Sequence, residues 1–175
     1  MNSLIEKFIE RAVLAGAEVE QFSNIQEAAD FLKIFFRENK IEKGLISSDL
    51  KTSGLFGETS SHFDLKPAPD TLWIDVGLVA ADHGVAETGT LVHFDLGDDE
   101  KNVWTLPETC LCLLEKSKIV PDLEAIAPRI AGHLAKCVSP SPQVSLVTGP
   151  SRTADIECQL TIGVHGPSRL IILLI

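Results

Sequence analysis

The stretch Arg169-Leu170-Ile171-Ile172-Leu173-Leu174 is apolar at five consecutive positions after a single charge. A strand with one wet face would alternate apolar and polar residues. A continuous apolar run suits a strand covered on both faces, at the centre of a parallel or mixed sheet with helices on either side. Val144-Ser145-Leu146-Val147-Thr148 reads as a second strand of that kind. Working outward, Leu4, Ile5, Phe8, Ile9 and Ala12 recur at helical spacing, and a strand follows at 18–22. Asn24 and Glu27 have capping-box spacing ahead of the stripe Ile25, Ala28, Ala29, Leu32, Phe35 and Phe36. Further strands are expected at 44–48, 72–79, 90–94 and 109–115, with a long Gly/Ser/Pro-rich loop over 52–70. Leu123, Ile126, Ala127, Ile130 and Leu134 form another helical stripe, in which Pro128 predicts a kink or a late start. The pattern is that of an α/β fold: a mostly parallel or mixed sheet with helices on both faces.

A chain of 175 residues and 19.0 kDa has the length of one domain with a sizeable core. A net charge of −10 and a pI near 4.9, with no basic run, argue against binding a phosphate backbone. Aromatics are 6% and Tyr is absent, which leaves little for a base-stacking platform. Nucleic acid is therefore excluded as a partner. Charge precedes any apolar stretch at the N-terminus, and the longest compact apolar run, 170–175, is far short of the ~20 residues that span a bilayer. The expectation is a cytoplasmic protein without a membrane span. Cys110, Cys112, Cys137 and Cys158 form no CxxC pair. Cys110 and Cys112 alternate along a strand and read as packed thiols, because cluster and zinc sites need about four ligands.

Two segments stand out chemically. In Gly84-Val85-Ala86-Glu87-Thr88-Gly89-Thr90-Leu91-Val92 one carboxylate sits among glycines and threonines. Thr88 and Thr90 can donate to a carboxylate or oxyanion, and Glu87 can equally be a structural acceptor in a tight turn. The second segment is Thr148-Gly149-Pro150-Ser151-Arg152-Thr153-Ala154-Asp155-Ile156-Glu157. The last 38 residues carry four charges, and Arg152, Asp155 and Glu157 fall in this one window while Arg169 stands apart. An apolar tail should be largely buried, so the window is either a structural salt-bridge knot or a site. A strand, a Gly-containing turn and a short helix capped by Ser151 or Thr153 would aim backbone N–H groups at an anion, with Arg152 as a positive fork. His165, in Gly163-Val164-His165-Gly166-Pro167, is either a backbone-bonded turn residue or a proton carrier. No HxH or HExxH spacing suggests a metal.

In these segments the chain resembles the LutC/YkgG family of bacterial lactate-utilisation proteins, the LUD domain. The resemblance rests on Glu87-Thr88-Gly89-Thr90, on Gly149 through Glu157, and on Gly163-Val164-His165-Gly166-Pro167 before a terminal apolar strand. It implies a three-layer fold similar to the NagB/RpiA/CoA-transferase type, and work alongside two iron–sulfur partners in oxidising L-lactate to pyruvate. On that reading the chain is an accessory, non-redox subunit without a cofactor of its own, and the clusters reside in its partners. Glu87 and His165 would be the catalytic candidates. Thr88, Gly89, Thr90, Gly149, Ser151, Arg152, Thr153, Asp155 and Glu157 would bind a small anionic ligand or a partner. A competing reading makes the chain a free-standing enzyme on phosphorylated or CoA-linked acids, with Glu87 as nucleophile or base.

Overall fold

The computed structural model describes residues 2–42, 44–53, 63–64, 73–94, 98–136, 143–153 and 161–175. Helix α1 (Asn2–Leu14) buries Phe8 and Ala12 completely, the inner face of the predicted stripe. It leads through a turn to strand β1 (Glu18–Gln21). Helix α2 (Ile25–Glu38) begins where the capping spacing placed it: the Asn24 side chain accepts the Glu27 N–H at 3.0 Å. The Glu27 carboxylate in return accepts from the Ser23 N–H at 2.8 Å, one residue ahead of the cap. Strand β2 (Gly44–Ile46) is followed by the short helix α3 (Ser48–Ser53). The expected 52–70 loop contains strand β3 (Phe63–Asp64), which pairs with β2; its other residues past Ser53 lie outside the described ones.

Strand β4 (Val76–Ala80) starts later than the apolar run suggested, although the Ile74 and Asp75 carbonyls ahead of it already accept from the Glu108 and Thr109 N–H groups. A hairpin then forms from β5 (His83–Val85) and β6 (Thr90–Phe94). The short β5 and the helix α4 (Asp98–Thr105) were not foreseen. Strand β7 (Thr109–Leu114), strand β8 (Ile119–Val120) and helix α5 (Leu123–Lys136) follow. Helix α5 starts at Leu123 and runs through Pro128, so the expected late start does not occur. Its stripe is only partly covered: Ile126 is buried, whereas Leu123 and Leu134 are 44% and 42% exposed.

The principal sheet has the order β1-β12-β7-β4-β2-β3, where β12 is Arg169–Leu174, and every neighbouring pair in it is parallel. The final apolar run occupies a central place, with Leu170 to Leu174 almost fully buried. One face of the sheet packs against Phe8 and Ala12 of α1 and Val103 and Trp104 of α4. The other packs against Leu32, Phe35 and Phe36 of α2 and Leu50 of α3. This is the mostly parallel sheet with helices on both faces. Cys110 and Cys112 of β7 point to the same face and are fully buried, as packed thiols.

A second, four-stranded sheet of order β8-β5-β6-β9 lies between α1 and α5, with β9 spanning Val144–Val147. The tail therefore divides. Strand β9 is not a central strand: it is the antiparallel edge partner of β6, and Leu146 is 52% exposed. Its continuous apolar look reflects partial cover on both faces: Val147 packs on the α1 side and Val144 on the α5 side, while Leu146 stays exposed.

Candidate functional site

The connection from β5 to β6 is Ala86-Glu87-Thr88-Gly89. The Gly89 N–H closes the turn onto the Val85 carbonyl at 2.9 Å, with Gly89 at φ +69°. That backbone presses directly on helix α1, so that any Cβ at Gly89 would run into the main chain of Arg11 and Ala12. The Ala86 and Glu87 N–H groups donate to the carbonyls of Val120 and Pro121, which fixes the other side of the turn. Glu87 itself is exposed. The threonines do not face its carboxylate. Thr88 Oγ1 and Thr90 Oγ1 are 2.7 Å apart, and Thr90 Oγ1 is 2.7 Å from Thr148 Oγ1. Three hydroxyls sharing two hydrogen bonds keep one proton for an outside acceptor.

This hydroxyl chain ties the Glu87 turn to the second segment. After Thr148 the chain turns at Gly149 (φ +72°), again tight against α1, where a Cβ would strike the Ala15 carbonyl. Arg152 Nη2 donates to that same Ala15 carbonyl, so the guanidinium caps the carboxyl end of α1. Residues Arg152–Thr153 form β10, paired antiparallel with β11 (Thr161–Ile162). The residues after Ser151 are thus extended, which corrects the expected helix capped there; any helix capped by Thr153 would lie outside the described residues, as do Asp155 and Glu157. The Ser151 N–H is engaged by the Pro167 carbonyl at 2.9 Å, and the Ser151 carbonyl by the Gly163 N–H at 2.9 Å. Those two bonds seat the His165 turn beside Ser151, with Gly166 close against the serine side chain. His165 is exposed.

The structure therefore gathers the Glu87 turn, residues 148–153 and residues 161–167 into one cluster. Among the described residues no ion pair links Glu87, Arg152 and His165. Arg169, the fourth charge of the tail, makes a fork with Glu18, Nη2 to Oε2 at 2.7 Å and Nε to Oε1 at 2.5 Å. This guanidinium holds the Glu18 carboxyl below its ordinary range.

The cluster's location is unexpected. Ser168 immediately precedes β12 and its hydroxyl donates to the Glu108 carbonyl, just ahead of β7. Gly149 rests on Ala15, just ahead of β1. The cluster thus sits at the amino-terminal edge of the parallel sheet, whereas ligand crevices in open α/β sheets form at the carboxyl ends. At the carboxyl ends of β1, β7 and β12 lies a cavity of about 680 Å³, lined by Ser23, Asn24, Lys116 and Ile175 together with Leu4 and Ile5 of α1. Lys116 Nζ is held by the Phe22 carbonyl at 2.6 Å.

Sequence reasoning passed over a third group of side chains. His93, Trp104 and Ser47 are 1%, 5% and 4% exposed, and both His93 ring nitrogens, Trp104 Nε1 and Ser47 Oγ lack a hydrogen-bond partner. The His93 and Trp104 rings meet edge to face, centroids 4.5 Å apart. Burial pushes the His93 pKa down to about 4, and the Ala80 carbonyl and the Asp49 carboxylate offset only part of that. The imidazole is therefore neutral at pH 7. A histidine in the apolar strand Leu91-Val92-His93-Phe94, on the inward parity of Leu91, was the available signal.

Residues 5–175 match the LUD domain family. The chain belongs to that family. This LUD domain is 30% identical to lactate utilization protein C 1 of Bacillus mycoides, over 96% of its own length and 77% of the relative's. It is 36% identical to lactate utilization protein C of Bacillus subtilis over 58% of the chain and 42% of that protein. With the Escherichia coli protein YkgG it shares 34% identity over 57% of the chain and 43% of the relative. A crystal structure of a DUF162 family protein from Deinococcus radiodurans has the same fold, with a TM-score of 0.60 at 17% identity, covering 99% of this chain and 96% of that one. Among the described residues no helix is long and apolar enough to cross a membrane, and no three His, Cys, Asp or Glu side chains converge as metal ligands.

Proposed function

We propose that this LUD domain serves lactate utilisation as a non-redox accessory subunit, docked in the cytoplasm to iron–sulfur proteins that carry the electrons. The observation behind this reading is the 30% identity to a lactate utilization protein C along 96% of the chain. The chemistry of the two cysteines among the described residues supports it. Cys110 and Cys112 are fully buried in β7, and burial pushes both thiols well above their ordinary pKa, so they resist becoming the thiolates that clusters require. The amino-edge cluster supplies the docking face. It presents Glu87, Arg152 and His165 beside the exposed apolar side chains Val13, Leu14, Ile162 and Val164, a mixed surface suited to a protein partner. The remaining Arg152 N–H groups and the spare proton of the Thr88–Thr90–Thr148 chain can hold a carboxylate there, either of a partner or of a small anionic ligand.

The test is affinity purification of the tagged chain from its host grown on L-lactate. Iron–sulfur proteins should be retained, and Val164→Asp combined with Glu87→Lys should release them while leaving the fold intact. Turnover of a phosphorylated or CoA-linked acid by the chain alone, abolished by Glu87→Gln, would instead make it an enzyme in its own right.

A further inference from the structure

The order of the principal sheet contains one reversal. From β2 the chain moves outward to β3, whereas from β4 it moves the opposite way to β7, although β2 and β4 are neighbours. The two connections also leave on opposite faces: Leu50 of α3 joins the core on one side, Val103 and Trp104 of α4 the core on the other. Two adjacent parallel strands whose continuations diverge leave a crevice beyond their carboxyl ends, the place where α/β sheets bind ligands.

The three unpartnered side chains lie at this reversal. Ser47 is the first residue beyond β2, and its N–H pairs with Leu78 of β4 at 3.0 Å. By strand alternation its side chain shares the face of Leu45, the face covered by α4. His93 is placed beside the end of β4 because the neighbouring backbone is tied there: the Asp82 N–H donates to the Val92 carbonyl at 2.9 Å, and the Phe94 N–H to Asp82 Oδ2 at 2.8 Å. Trp104 reaches in from α4 to meet the imidazole. The rim is spanned by Ser48 Oγ donating to Glu100 Oε1 at 2.8 Å, joining α3 to α4.

Buried polar atoms in native proteins nearly always have partners, and leaving one without costs about 1–3 kcal/mol. Ser47, His93 and Trp104 bring such atoms to the switch point, with the Ala80 carbonyl beside the imidazole, and call for a guest that supplies the missing bonds. We infer that the β2/β4 crevice is a binding site for the uncharged polar head of a small organic molecule, a hydroxyl, carbonyl or carboxamide, held by Ser47, His93 and Trp104. The donors are an indole N–H and a hydroxyl, and the imidazole offers one acceptor and one donor, so a guest must both give and accept hydrogen bonds. Three carboxylates lie close by, Asp49 and Asp82 with Glu100 at the rim, and they disfavour an anion. This site does not rest on the docking reading above and shares no residue with it.

Lactamide is the neutral probe and L-lactate its anionic counterpart of nearly the same shape. In Trp73→Phe, which leaves Trp104 as the sole tryptophan, lactamide should move the Trp104 indole N–H resonance and the His93 ring resonances. Ser47→Ala and His93→Phe should each weaken that binding by about tenfold, the worth of one hydrogen bond, while Arg152→Ala leaves it unchanged. Equal or stronger response to L-lactate would overturn the neutral-head assignment. No response to either probe, with a crystal structure in which ordered water alone bridges the three side chains, would overturn the site.

Discussion

The two edges of the principal sheet are built on opposite terms. At the amino edge, where Glu87, Gly149–Thr153 and His165 gather, the visible polar groups are engaged: Ser151 by Pro167 and Gly163, Arg152 by Ala15, Thr90 by Thr88 and Thr148. At the carboxyl end of β2 and β4, Ser47, His93 and Trp104 are buried with polar atoms unanswered. A protein stores local cost where function needs it, and here that cost lies away from the segments that mark the family. The amino edge reads as a welded platform with an exposed face. The carboxyl crevice reads as an open valence.

The platform should therefore be the more fragile edge. Ala at Gly89 or Gly149 combines a positive φ with a collision against the α1 backbone, at Ala12 and Ala15 respectively. Strain of about 1–3 kcal/mol and overpacking of similar size add, so each variant should lose about 3 kcal/mol or more in urea unfolding. A loss below about 1 kcal/mol would mean that α1 yields easily and that the platform is not rigid.

The crevice should show the opposite sign. Above pH 6.5 the His93 imidazole is neutral in both the folded and unfolded chain, and its folded pKa is held near 4. As pH falls from 6.5 toward 4, the unfolded chain takes up a proton that the folded one refuses. Stability is thus lost over that window, by up to about 3 kcal/mol at 1.4 kcal/mol per pKa unit. His93→Phe should abolish that loss and leave stability at pH 7 unchanged or raised by about 1 kcal/mol, because it removes unpaired polar atoms from an apolar site. Thermal melts of both proteins across the window decide it. A parallel acid loss in the variant would assign the titration elsewhere.

Much of this contrast was written in the sequence, and the missing parts are non-local. The terminal run Leu170–Leu174 and the Asn24–Glu27 cap are short-range signals, and both held. The apolar run at β9 looked equivalent, yet its burial depends on pairing with β6, some fifty residues away, which leaves it at an edge. Helix α4 shows only Val103 and Trp104 as apolar positions, too few to set a period. The gathering of the Glu87, Arg152 and His165 segments follows from motif order, but not their place at the amino edge, which depends on where α1 ends. The crevice depends on strand order alone, so His93 looked like any histidine in a strand.

Removing Arg152 distinguishes a cap from a knot. It donates to the Ala15 carbonyl just past α1, and the side chain is exposed, so Arg152→Ala should cost only about 1 kcal/mol. A loss of ~3–5 kcal/mol in the same melt would reveal a buried charge stranded by the change.

The smallest effect belongs to the Glu18–Arg169 fork, which fastens β1 to β12 at the platform's rim. Both side chains are half exposed, at 47% and 41%, so water screens most of the attraction. Glu18→Gln should cost less than about 1 kcal/mol at pH 7 despite the bidentate geometry. Because the Glu18 pKa is lowered in the folded chain, the pair's contribution is present above the ordinary value of 4.5 and fades as pH falls through the folded one. Below that range Glu18→Gln and the unmutated chain should converge in stability. The His93 loss is already complete near pH 4, so the two titrations separate along the pH axis. If Glu18→Gln instead matched the glycine variants in cost, β1 would be held chiefly by this fork, and not by its parallel ladder to β12.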